Sequence, residues 1–175
     1  MTSKAEPHGF VTRTVHWLAA GLLVFGYVKG LDNVAQLSDP ALFQLEVLYA
    51  LGLGALFIIR LFWTKAVAGE TRLPSDAPSW EHKASRAVHL GLYVSVFGII
   101  LSGLGIAFTF STPAFSGFTL SGMVFLHEVF LNVMPVLLAT HIAGALWHRV
   151  VRRDDVLESM TGRPGRVLRK AAGTT

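Results

Sequence analysis

The sequence predicts an all-α membrane protein: a four-transmembrane-helix bundle with both termini cytoplasmic. Three observations carry that expectation. Hydrophobic residues make up 52% of the chain and charged residues only 15%, against ~25% charged in ordinary soluble proteins. Four apolar stretches each reach the roughly 20 residues that a helix needs to cross the hydrocarbon. Lys and Arg crowd the second connection and the C-terminal tail, while the first and third connections hold none, and cationic loops stay cytoplasmic.

The 175 residues suit a single domain over 1–175, without internal repeats or a separate soluble part. Cysteine is absent, which excludes disulfides, iron–sulfur clusters and thiolate ligation. Any metal must then be held by His, carboxylate, Met or Tyr. The net charge of +4 sits at span ends, so it reads as a topology signal rather than a nucleic-acid surface.

Taken in order, residues 1–9 form a polar head. The first span runs from about Val11 to Leu31, with Arg13 and His16 in its first turns and Lys29 placed to snorkel at the far end. It lacks a small-residue cleavage site and is expected to remain as a span. After the acidic linker LDNVAQLSDP, Pro40 suits a helix start. The second span, Ala41 to Trp63, holds Glu46 early and Arg60 late. Residues 64–86 read as a polar loop with Lys65, Arg72, Lys83 and Arg86, its last part (Trp80 to Arg86) a short amphipathic turn at the surface. The third span is Ala87 to Phe110, with His89 just inside. The uncharged loop STPAFSGFTLSG leads to the fourth span, Met123 to Arg149, which Pro135 is expected to kink. Residues 150–175 form a basic cytoplasmic tail that includes Arg152, Arg153, Arg163, Arg166, Arg169 and Lys170.

The fourth span organises the reading. Ionisable residues inside a membrane are costly and by default mark function, and this span carries His127, His141 and His148. His127 and His141 are fourteen residues apart, close to four whole turns, so both leave one face roughly 21 Å apart along the axis. His16 enters from the cytoplasmic side and His141 lies on the cytoplasmic half, so the two are expected to face each other. A pair of neutral imidazoles is the usual way to hold a low-spin b-type haem. The bland alternative is an interfacial His16 and a hydrogen-bonded core His141.

His127 lies near the periplasmic end, where its depth-mate from the second span is Glu46. A carboxylate is a hard oxygen ligand and does not make a bis-imidazole site. Three readings stay open: Glu46 ligates a metal; Glu46 is protonated or hydrogen-bonds His127 without haem; or His127 binds haem with another partner, such as Tyr49 or Met123. Glu128 points off that face by ~100° and reads as a periplasmic surface carboxylate. Arg60 suits pairing with haem propionates or anchoring at the interface. His89 and His148 suit propionate contacts, proton relay or a quinone pocket, or are plain interfacial residues. Trp17, Trp63, Trp80 and Trp147 read as an aromatic belt.

These residues together resemble the bacterial cytochrome b561 family over essentially the whole chain. The matching pieces are His16-Trp17 opening span one, Arg60 closing span two, His89 with Leu92-Tyr93, and His127-Glu128 followed by His141; His148 also falls where relatives carry a histidine. The resemblance implies a four-helix di-haem b cytochrome of the bacterial inner membrane that passes electrons between the quinone pool, ubiquinone included, and a periplasmic redox partner. It implies His16 and His141 as ligands of the cytoplasmic-side haem and His127 as one ligand of the periplasmic-side haem. The remaining family ligand falls on Glu46, a departure that leaves the second haem, and continuous transfer across the membrane, open. One branch of the family oxidises superoxide with quinone as acceptor, so a superoxide:quinone oxidoreductase is an alternative. A non-catalytic membrane anchor that has lost part of the haem machinery is another. Lipid-facing helices with short loops allow a homodimer.

Overall fold

The structure, a computed structural model, describes residues 9–31, 33–68, 73, 77–112, 117–154 and 156–162. Among the described residues the chain forms helices and no strand. Arg72, Arg163, Arg166, Arg169 and Lys170, assigned above to the loop and the tail, lie outside them.

Helix α1 covers Phe10–Lys29. A short 3₁₀ turn, Val34–Ser38, follows, opened by an Asn33/Gln36 capping box. Helix α2, Pro40–Trp63, starts where the Asp39 carboxylate accepts from the amides of Ala41 at 2.8 Å and Leu42 at 3.4 Å. Proline at its first position has no amide to satisfy. A wide turn, Thr64–Ala68, ends it. Helix α3 is Ser79–Ser111 and α4 is Phe118–Trp147, prolonged by a wide turn over His148–Arg152. Arg153 then takes a left-handed conformation (φ 56°), and a short α5, Val156–Thr161, closes the described chain.

All four long helices are long and apolar enough to span a membrane. Helices α3 and α4 begin earlier in the chain than the spans read from sequence. Helix α3 takes in Ser79 to Arg86, so the segment from Trp80 forms the first two turns of that helix and not a separate turn. Glu81 explains this: it turns inward, 6% exposed, and anchors the helix start against Arg152 rather than facing water. Helix α4 likewise begins at Phe118, inside the stretch read as loop. Pro135 lies within α4.

Helix α3 packs most extensively on α4 and next on α2, and α1 packs on α2, whereas backbone contact between α1 and α4 is slight. A single apolar layer fills the middle of the bundle: Ala19, Leu23, Leu53, Phe57, Val96, Ile100 and Met134. Glycines set two of the close approaches, Gly98 beneath the Phe130 ring and Gly26 beneath Tyr49, whose hydroxyl donates to the Leu22 carbonyl. The outer faces carry large exposed apolar side chains such as Leu48, Phe62, Leu101 and Phe125. Lipid, not water, is the solvent that such a surface fits.

Candidate functional site

Polar side chains enter the bundle at two levels, one on each side of the apolar layer. At the end where α1 starts and α4 finishes, every long helix contributes: His16 from α1, Arg60 from α2, His89 from α3 and His141 from α4. Arg60 Nη2 donates to His16 Nδ1 at 2.8 Å. The guanidinium carbon also lies 5.8 Å from the Phe57 ring centre and 5.7 Å from that of Tyr93, so its charge rests against two aromatic faces. The His16 and His141 rings are 6.4 Å apart with planes at 47°. His89 sits edge-on to His141 at 5.0 Å and 82°.

The partners of these rings fix where their protons are. A guanidinium only donates, so His16 Nδ1 accepts and the neutral ring carries its proton on Nε2. His89 shows the reverse: its Nδ1 lies 2.7 Å from the Ser85 carbonyl, which only accepts, so Nδ1 is protonated and Nε2 keeps the lone pair. Among the described residues no hydrogen bond engages either nitrogen of His141.

The spacing of His16 and His141 fits an iron between them. An imidazole nitrogen binds a first-row metal at about 2.0 Å, and two such bonds with their half-rings span roughly 6 Å between ring centres. The two residues also face each other across the α1–α4 seam, where the backbones make little contact. A flat macrocycle needs both features.

The opposite level is built differently. His127 Nδ1 lies 2.9 Å from Ser102 Oγ on α3, and Gly103 leaves room for its ring edge. Glu46 is half-buried on α2, yet it makes no hydrogen bond or ion pair with His127 among the described residues. The proposed alternative partners also point elsewhere: Tyr49 donates to Leu22, and the Met123 sulfur lies against Gly105. Among the described residues, no group of three or more His, Asp or Glu side chains gathers as a bare metal ion would need.

His148 opens the wide turn that follows α4. It is 8% exposed and its Nδ1 pairs with Asp154 Oδ2 at 2.7 Å. Around it, Arg149 Nε lies 3.7 Å from Glu158 and Arg152 Nε 3.6 Å from buried Glu81. Trp17 Nε1 donates to the Met160 carbonyl at 3.1 Å, tying α5 back to α1. Trp63 Nε1 bonds Thr12 Oγ1 at 3.0 Å. Trp17 and Trp63 thus have specific partners beyond the belt role read from sequence. Sequence reasoning missed Ser102 and Asp154. Ser102 had a legible signal, a serine within an apolar span; Asp154 had none, because its partner depends on how the end of α4 turns.

The family model described as prokaryotic cytochrome b561 matches residues 8–163. Among curated proteins, cytochrome b561 homolog 2 of Escherichia coli (strain K12) is 28% identical over 184 residues, covering 93% of this chain and 95% of the relative. Cytochrome b561 homolog 1 of the same organism is 29% identical over 98 residues. That alignment covers 49% of this chain and 56% of the relative, so it spans little more than half of that protein's length. No solved structure matches the chain.

Proposed function

The chain belongs to the prokaryotic cytochrome b561 family, and from that premise we propose that this membrane b-type cytochrome holds a haem between His16 and His141 and exchanges electrons with the quinone pool of the bacterial inner membrane. Membership implies a haem b protein in electron transfer; the ligands, the quinone and the orientation are the proposal. The observation that carries it is the facing pair of imidazoles across the α1–α4 seam, 6.4 Å apart.

A haem b between two imidazoles supplies one-electron exchange at iron. The chain's own residues do the rest. Nε2 of His16 can serve as a ligand only without its proton, which must then sit on Nδ1. Arg60 and His16 cannot both keep their present contact in that state, because each would bring a hydrogen to it. Arg60 is thereby released beside the site as a fixed positive charge suited to a propionate. His89, held by the Ser85 carbonyl, offers Nε2 as a proton acceptor at the same level.

The distribution of charge supports the orientation. Lys65, Lys83, Arg86, Arg149, Arg152 and Arg153 all lie toward the end with His16 and His141, while the connections at the other end carry no Lys or Arg, a pattern that favours a cytoplasmic first end. A periplasmic redox protein would then meet the end with Glu128 and Lys29.

The test is optical. Purified protein, reduced with dithionite, is expected to show a b-type band that a short-chain ubiquinone analogue reoxidises. Protein that carries haem but exchanges no electrons with the quinol or quinone analogue sinks the quinone part of the proposal; protein that carries no haem sinks all of it.

A further inference from the structure

We propose that Ser102 is a positioning residue that presets His127 for axial ligation through Nε2, so that the level holding Glu46 keeps half of a haem site. The proposal rests on the cytochrome reading above and goes to a part of the molecule for which that reading assigns no ligand pair.

The argument is an accounting of hydrogens. A serine hydroxyl has one to give. Ser102 Oγ lies 2.5 Å from the Gly98 carbonyl and 3.2 Å from that of Ile99, and neither oxygen can donate. The hydroxyl hydrogen is therefore spent on the helix backbone. Only a lone pair is left to face His127 Nδ1 at 2.9 Å, and that contact is favourable only if Nδ1 carries the proton. In a neutral imidazole the lone pair is then on Nε2.

Metal-bound histidines almost always donate their other N–H in this way, which fixes the tautomer and the ring angle and raises ligand basicity. The Ile99 carbonyl also lies within hydrogen-bonding reach of the imidazole, so the acceptors around the His127 ring belong to α3. Ser102 is itself 2% exposed, so water does not compete for its oxygen. The next residue, Gly103, is where a Cβ would come within 3.3 Å of the ring. Helix α3 therefore supplies both the acceptor that sets the tautomer and the space that admits the ring.

The experiment uses the full chain in mild detergent, as wild type, Ser102→Ala, Ser102→Thr and His127→Ala. Haem is counted against protein, and each haem is titrated potentiometrically. The expected result is a wild type with a haem component that His127→Ala removes. Ser102→Ala is expected to weaken retention of that component about 10- to 100-fold and to raise its midpoint potential, because a less basic imidazole stabilises ferric iron less. Ser102→Thr, which keeps the hydroxyl, should match the wild type. A Ser102→Ala protein with haem content and potentials unchanged overturns the proposal, as does a shift shared equally by the Ala and Thr variants. A wild type whose haem is indifferent to His127→Ala overturns it too, while leaving the His16–His141 reading intact. A wild type without haem overturns that underlying reading instead.

Discussion

Arg60 of α2 donates to Nδ1 of His16 on α1 at 2.8 Å while its guanidinium rests on the rings of Phe57 and Tyr93. One side chain thus holds His16 in its haem-free tautomer and keeps a positive charge beside it. Lysine cannot reproduce this, since an ammonium is a point charge without a planar face. Arg60→Leu removes the charge suited to a propionate and is expected to lower haem retention at the His16–His141 level by about ten-fold or more, the scale of a charge-assisted hydrogen bond of roughly 1.5–3 kcal/mol. Arg60→Lys should fall between Leu and wild type. Haem-to-protein ratios after dilution into haem-free detergent would check this, and an Arg60→Leu protein that keeps its full haem would refute the role.

Gly98 on α3 lies where a methyl group would come within 2.5 Å of the Phe130 ring on α4. Overpacking of this kind costs about 1–3 kcal/mol. For a chain of this size, each kcal/mol is roughly 2–4 °C in Tm. Gly98→Ala should therefore melt several degrees lower than wild type in the same detergent. Gly144→Ala is the control, since nothing lies within 4 Å of its Cβ position, and it should not be destabilised. Equal melting of the two variants would mean that α3 and α4 do not approach as described.

Asp154 bonds His148 Nδ1 at 2.7 Å through one oxygen and the amide of Val156 at 3.3 Å through the other. It therefore joins the end of α4 to α5. Asp154→Ala removes both bonds from a poorly hydrated site and is expected to cost about 1–3 kcal/mol locally. Amide hydrogen exchange should accelerate in Val156–Thr161 and remain slow in the four long helices. Unchanged exchange in α5 would show that the Trp17–Met160 and Arg149–Glu158 contacts hold it without Asp154.

The bundle and its two histidine levels were legible because they follow from periodicity along single helices. Fourteen residues between His127 and His141 place both on one face whatever else the chain does. The meeting of His16, Arg60, His89 and His141 at one level follows from the up-and-down order of four successive helices. What was not legible depends on partners from other helices. Glu81 looks like a surface residue in sequence and is buried because Arg152 comes to it. Ser102 looks like one small polar residue among many; only the approach of α4 makes it the acceptor for His127. Asp154 and His148 meet because α4 ends in a wide turn. The pairing of Arg60 with His16, rather than with an anion, reflects the same limit: spacing sets depth, while proton-donor and acceptor capacity decides which neighbours bond.

The most direct test of the central claim is the haem-to-protein ratio, by pyridine haemochrome, of the wild type beside His16→Ala and His141→Ala. The account predicts haem b in the wild type and the loss of one full haem per chain in His141→Ala, with His16→Ala losing the bis-imidazole spectrum at that same level. A wild type that purifies without haem, or a His141→Ala protein with its complement and spectrum intact, would contradict it.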